Sequence, residues 1–389
     1  MIYLDNASTT LVKPKEVAEA VFEAIAGQTI GNPTRAGHAA SLRGLHAVTA
    51  VREAVKAYFS ADDEEMETVF TKNATEAANI LLKGFLRPGD HIITTEMEHN
   101  AILRPLYHLQ QQGVELTILP LDSETGRASV EQFRAAIRPG VTRAIVTSHA
   151  SNVTGCRNDL QTLGALCTAY ELAFFVDVAQ TAGIEPIDMG QMKMDALIFT
   201  GHKSLYGPQG SGGLVLRESL ASQIEPLLDG GTGVFSQAET MPSQLPEHLE
   251  AGTLSTPSII GLGAGLAYLE THPQAGKRAK QAAGKFYQAL ADEPGVHFYG
   301  YDKAAAPSLV SLNIGSLDSN EVACQLMAEY GIACRGGLHC APLIHRHYGT
   351  EQQGMVRFSF SSFTTPEEIE QAVGAVRQLA QKRTKEEAE

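Results

Sequence analysis

The chain has 389 residues, 43% of them hydrophobic and 19% charged. That is enough apolar surface for a sizeable core, and it leaves no long polar tract of the kind that stays disordered. A formal charge of −14 and an isoelectric point near 5.4 argue against a nucleic-acid binder, which needs clustered Lys and Arg against phosphate.

The start, MIYLDNASTT, lacks the basic end and apolar run of a signal peptide, and nowhere do eighteen uncharged apolar residues run together. No membrane span and a cytoplasmic location are expected. The five cysteines, Cys156, Cys167, Cys324, Cys334 and Cys340, then read as free thiols. The length favours one large α/β unit with a smaller companion.

From about residue 67, TVF, HIITTE, VELTILPL, RAIVTS, AFFVDV, ALIFTG and GLVLRE read as strands. Helix-length segments such as VEQFRAAIR and LQTLGALCTAYEL lie between most of them. This alternation predicts a mainly parallel sheet covered by helices. Polar residues stand where the strands end, at Asn100, Asn152, Asp177, Gln180, His202 and Lys203. Open α/β sheets bind ligands beyond their strand carboxyl ends, so one pocket should collect them. After GTLSTPSIIGLGAG the pattern becomes one long helix over roughly 257–292, a strand at SLVSLNI, a helix over Ser319–Tyr330 and a strand at MVRFSFS. The expected division is a large domain over 16–257 and a small α+β domain over 258–389 that includes the N-terminal arm, 1–15.

Three segments carry chemistry. FTGHKSLYGPQGSGG (199–213) sets Lys203 after an apolar strand in a loop whose free N–H groups and hydroxyls suit a phosphate. Partly desolvated beside His202, that lysine would have the lowered pKa Schiff-base chemistry requires; the alternative is a surface lysine by a flexible loop. Asp177 closes an apolar strand, where a buried carboxylate wants a cation. The protonated pyridine nitrogen of pyridoxal phosphate (PLP) would serve, with Gln180 reaching the same pocket; the alternative is a helix N-cap. TKNATEAAN (71–79) reads as a helix entry with Thr75 and Glu76 in the first turn, a phosphate site or an ordinary cap.

In chain order YLDNASTT, NATEAAN, TEMEHN, SNVTG, VDVAQ, TGHKSLYGP, EAGT, RGGLHCAP and VRFSF resemble the class V aminotransferase fold of PLP enzymes, in its cysteine desulfurase and selenocysteine lyase branch. The resemblance implies the type I PLP-dependent transferase fold. It makes Lys203 the Schiff-base lysine, Asp177 the pyridinium partner, Gln180 a ligand of the phenolic oxygen, His99 the imidazole stacked on the ring, and Asn152 a neighbour of the cofactor. Thr75, Thr200 and His202 would hold the phosphate, with Thr253 of EAGT arriving from a second subunit, so a homodimer is implied. Arg357 of VRFSF, assisted by Arg335, would clamp the substrate carboxylate. Cys340 of RGGLHCAP matches the cysteine that takes sulfur from L-cysteine as a persulfide, leaving L-alanine; L-selenocysteine is the alternative substrate and a sulfur-acceptor protein a possible partner.

Leu338 stands where the family has the first of two histidines, and Leu254 and Ser255 follow EAGT where an asparagine is usual. As a nucleophile Cys340 needs cationic or hydrogen-bonding neighbours, and Arg335 and His339 are nearest in sequence; the alternative is a buried, inert thiol. Other readings are a zinc site built from Cys334, His339, Cys340, His345 and His347, a Cys334–Cys340 redox pair, and a PLP reaction without covalent cysteine, such as transamination, epimerisation or β-elimination. His345 and His347 read as surface or loop histidines.

Overall fold

The computed structural model describes residues 1–34, 37–61, 65–303 and 306–388, with side chains described up to 383. The chain opens with β1 (Ile2–Tyr3), α1 (Lys15–Ala26) and α2 (Ala39–Tyr58). The alternating part follows as β2 (Met66–Thr71), α3 (Ala74–Phe85), β3 (His91–Thr95), α4 (Asn100–Gln111), β4 (Glu115–Leu119) and α5 (Val130–Ala136). It continues through β5 (Thr142–Ser148), α6 (Leu160–Ala169), β6 (Ala173–Asp177), β7 (Ala196–Thr200), β8 (Gly212–Arg217) and the short α7 (Glu218–Ala221).

These strands form one sheet in the order β2-β8-β7-β6-β5-β3-β4. Strands β3 to β7 run parallel, while β8 is antiparallel to both β7 and β2, so the sheet is mainly parallel as the sequence indicated. β3 and β7 are buried along their whole length, as expected for strands covered on both faces. One face packs Phe59, Phe133, Phe174 and Phe199, and the other Leu81, Ile102, Phe175 and Ile198.

Beyond this sheet come α8 (Thr256–Thr271), α9 (Ala275–Leu290), β9 (Val296–Tyr299), β10 (Leu309–Ile314), α10 (Ser319–Tyr330), β11 (Ile332–Ala333), α11 (Pro342–His347), β12 (Val356–Ser359) and α12 (Pro366–Ala388). The single helix expected over 257–292 is two helices. Pro273 lacks an N–H and pushes His272, at φ −126° and ψ 61°, out of the helical region. The two halves serve different cores: α8 sends Ile259, Leu262 and Leu266 against the large sheet, whereas α9 packs Phe286 and Leu290 on the antiparallel sheet β12-β10-β9. Helix α10 has the expected limits, capped by Asp318 and ended by Gly331 at φ +66°.

The N-terminal arm joins both parts. β1 pairs in parallel with β11 and Asp5 bridges to Ser359, after which Thr9 and Lys13 bond to the carbonyl of His202. On the far side, Arg52 of α2 holds Glu250 through both guanidinium ends, at 2.8 and 3.0 Å, and both side chains are nearly buried. Glu250 also accepts the Phe70 N–H, and it anchors the segment carrying Thr253. Glu250→Ala strands a buried guanidinium, so urea unfolding is expected to show a loss of about 3 kcal/mol; a loss within the range of an ordinary surface substitution would contradict this weight.

Candidate active site

Strand order reverses between β3 and β5, since β4 lies beyond β3 while β6 and β7 lie beyond β5. A crevice opens at such a point beyond the strand ends. The cavity there is lined by Ser8, Asn73, Thr75, His99, Ser148, Asn152, Asp177, Gln180, Thr200, His202, Lys203, Arg335 and Arg357, among others. Of the residues expected at this pocket from the sequence, Asn100, Thr253 and Cys340 lie outside the lining.

Asp177 ends β6 and is buried. Its Oδ1 accepts the Ala179 N–H at 2.8 Å. Burial raises its pKa, against the pull of that bond and of Lys203. What it caps is a turn, because no helix lies between β6 and β7; the helix N-cap alternative falls. Gly183, at φ +87°, lets this turn pass under the lysine loop, where a Cβ would strike the Ser204 carbonyl.

Lys203 is partly exposed to the cavity. Desolvation brings its ammonium down to about 8, opposed by Asp177 and assisted by Arg357 and Arg335. His99 N-caps α4, its Nδ1 accepting the Ala101 N–H at 3.0 Å. Burial, then Lys203 and the nearby arginines, lower it to about 4, so the ring is neutral at pH 7 with its proton on Nε2. His202 is lowered to about 4 by burial, Lys203 and Lys13, and its Nδ1 lies 3.1 Å from Thr9 Oγ1. Asn73 caps α3 at the Glu76 N–H, 2.9 Å away, and brings Thr75 and the first-turn N–H groups to the cavity wall. Thr200 Oγ1 is buried without a partner, while Gln180 donates to Ala7 O at 3.3 Å.

Arg335 and Arg357 face each other on an antiparallel bridge. Arg357 is 1% exposed. Its Nη1 donates to Asn152 O at 2.9 Å and its Nη2 to Asp5 Oδ1 at 2.8 Å and Ser8 Oγ at 2.9 Å, while Nε is unpartnered. Arg335 donates to the same Ser8 Oγ at 3.2 Å and to Cys340 Sγ at 3.8 Å.

Cys340 is exposed, so the buried-thiol alternative does not hold. His339 at φ +51° and Cys340 at φ +57° are successive non-glycine residues in the left-handed region, a costly backbone that needs outside support. The Asn100 N–H donates to Cys340 O at 2.7 Å, Asn152 Nδ2 to His339 O at 2.7 Å, and His339 Nε2 to Met355 O at 2.9 Å. Burial holds His339 well below the usual histidine range, so this ring is neutral and Arg335 alone of the two expected neighbours is a cation. Cys334 instead packs beside the small core, where burial pushes it up to about 12.

The remaining residues of the zinc reading scatter. His345 is fully buried and bonds Thr350 Oγ1 at 2.9 Å, a departure from the expected surface position, and His347 lies 3.9 Å from Glu96. Among the described residues no three His, Cys, Asp or Glu side chains converge to hold a metal. Thr253 is exposed on its loop.

A profile of the family described as aminotransferase class-V matches residues 2–372. A cysteine desulfurase of Pectobacterium carotovorum subsp. carotovorum is 33% identical, with 97% of this chain and 93% of that protein covered. The chain belongs to the cysteine desulfurase branch of the class-V aminotransferases. Among solved structures, the cysteine desulfurase of Thermococcus onnurineus matches this desulfurase-branch chain with a TM-score of 0.89 at 29% identity, over 98% of this chain and 94% of the other. The cysteine desulfurase CsdA of Escherichia coli matches with 0.85 at 32% identity, over 97% and 94%.

Asp5, Ser8 and Glu98 were not singled out from the sequence. The first two lie in YLDNASTT and the third in TEMEHN, so the motifs held the signal, but their partners are remote in the chain. Lys203 should stand apart chemically in the protein without cofactor. Reductive labelling with a small aldehyde, read by peptide mass spectrometry, is expected to rise at Lys203 through pH 8, well before ordinary lysines near ~10.4. Labelling in step with surface lysines would contradict the lowered ammonium.

Proposed function

We propose that this chain is a PLP-dependent cysteine desulfurase that converts L-cysteine to L-alanine and leaves the sulfur as a persulfide on Cys340. The observation that carries the reading is Arg335, which lines the cavity holding Lys203 and Asp177 and also donates to the exposed Cys340 thiol at 3.8 Å.

The residues fit the cofactor. Asp177 is a buried carboxylate that makes no ion pair among the described residues, Thr200 Oγ1 is buried and unpartnered, and the α3 N-terminus faces the cavity. Asp177 would hold the ring nitrogen, Gln180 the phenolic oxygen, His99 and Asn152 the ring, and Thr75, Thr200 and His202 the phosphate, with Lys203 as the point of attachment. PLP, when bound, supplies a sink for electrons released at the substrate α-carbon.

The chain's own groups do the rest. Arg357, with Nε free, and Arg335 receive the α-carboxylate as planar, multi-donor cations. Lys203 Nζ carries the proton to and from the α-carbon, a task its position near pH 8 suits. Cys340 Sγ bonds to the substrate sulfur as the carbon–sulfur bond breaks; cysteine and the enzyme thiol become alanine and the enzyme persulfide, with every atom accounted for.

Leu11, Val12, Phe22, Ile25 and Phe235 are large apolar side chains at least half exposed, and Thr253 stands outside its own chain's cavity. Both features support a homodimer in which Thr253 serves the phosphate of the second copy. No described helix is long and apolar enough to cross a membrane, in keeping with a cytoplasmic enzyme that passes sulfur to an acceptor protein. The separate cores support two domains, with α8 on the large one, so that the boundary moves from the expected 257/258 to the break between α8 and α9.

Cys340→Ser is expected to keep PLP absorbance and affinity while sulfide release from L-cysteine falls by about a hundredfold or more. Undiminished release would overturn the role of Cys340, and a wild-type protein that takes up no PLP would overturn the cofactor assignment. Thr253→Ala is expected to raise the PLP concentration for half-activity about tenfold in a protein that light scattering shows as a dimer; an active monomer would contradict the shared site.

A further inference from the structure

Glu98 is a buried carboxylate that the roles above leave unused. It is 0% exposed and lies at the crevice between β3 and β5. Thr95 Oγ1 and Thr147 Oγ1 donate to its Oε1 at 2.8 and 3.0 Å, and the N–H and Oγ of Ser148 donate to its Oε2 at 2.8 and 2.7 Å. Four donors and no acceptor suit an ionised carboxylate, and charged acceptors make the stronger bonds.

The anchor leads straight to the cavity. Ser148 lines it, stands opposite Asp177 in the β5–β6 register, and is followed by His149, whose N–H donates to Asp177 O at 2.8 Å. Burial raises Glu98 to about 7, its hydrogen bonds working against this and Asp177 adding to it. The titratable group acting on it is Asp177 on β6, which in turn feels Lys203; His99 follows Glu98 in the chain at the start of α4. Glu98 makes no ion pair among the described residues. Two neighbouring buried carboxylates with Lys203, its own ammonium weakened by burial, as the cation acting on Asp177 are costly, and an amide or apolar side chain in place of Glu98 would fill the space with less strain on the fold. A cation in the filled cavity removes that cost.

We propose that Glu98 is a positioning residue of the cofactor site, fixing Ser148 in the cavity wall and setting a second negative charge behind Asp177 that favours the protonated ring nitrogen of PLP. This rests on the PLP reading above. The test uses wild type, Glu98→Gln and Ser148→Ala, each as apoprotein and as holoenzyme. Gln keeps the size of Glu, its oxygen toward the Ser148 N–H and its amide toward the threonine hydroxyls, and it removes the charge.

Glu98→Gln is expected to melt as a folded protein and to bind PLP about tenfold more weakly. The pH midpoint of the bound cofactor's visible band should move about one unit toward acid, because losing a nearby anion makes a cation easier to deprotonate. Ser148→Ala leaves the carboxylate but removes one donor, so its midpoint should move the same way by less. A purely structural role would leave both midpoints at the wild-type value, and that result overturns the proposal. If Glu98→Gln does not fold, an unmoved midpoint in Ser148→Ala is enough to overturn it. Wild-type apoprotein that takes up no PLP would bring down the cofactor reading itself, an outcome distinct from a wild type and variant that bind and titrate alike.

Discussion

A guanidinium cut off from water must have an anion, and in this chain that requirement organises the molecule. Arg357 on β12 is buried to 1% exposure and finds its carboxylate in Asp5, at 2.8 Å. The pair draws the arm to the small sheet, beside the separate two-stranded pairing of β1 with β11, and the Ser8 hydroxyl accepts from both Arg357 and Arg335. From there the arm reaches the large sheet through Thr9, Lys13 and the bond from Gln180 to Ala7. One ion pair therefore fixes the distance between the lysine loop of one sheet and the arginines of the other.

The second constraint is the reversal of strand order. It leaves β3 and β5 with their following segments diverging, and the polar residues His99, Ser148, Asn152 and Asp177 fall into the gap. The Cys340 loop closes over the same gap because Asn100 and Asn152, both just beyond strands of the large sheet, donate to its carbonyls. Its left-handed backbone is held by partners in the body of the protein and by Met355. The thiol thus has a fixed address, set by the large sheet although its sequence belongs with the small one.

Much of this was legible in the amino-acid order, because local physics decides it. Apolar runs bounded by polar residues gave the strands, and the residues at their carboxyl ends gave most of the cavity. Helix 319–330 carries its own start in Asp318 and its stop in Gly331. The break between α8 and α9 was also local, at Pro273, but the apolar pattern runs through it and masks the change of core. Asp5 and Glu98 were hidden for another reason: each owes its importance to a partner that only the fold brings near, Arg357 for the one and Ser148 for the other. Whether His339 would serve Cys340 as a cation was not legible, because its charge depends on burial, which its neighbours in sequence do not reveal.

The Asp5–Arg357 bond spans nearly the whole chain, from the first strand to the last. During synthesis the carboxylate emerges at the beginning and its cation close to the end. Until then the arm lacks its ion pair, Ser8 has Arg335 alone to join, and the cavity lacks part of its wall. A ribosome that stalls before β12 releases a chain whose large sheet can form but whose pocket stays open on one side. Assembly of the pocket is in this way a checkpoint on completeness, and a truncated product is denied the chemistry of the finished one.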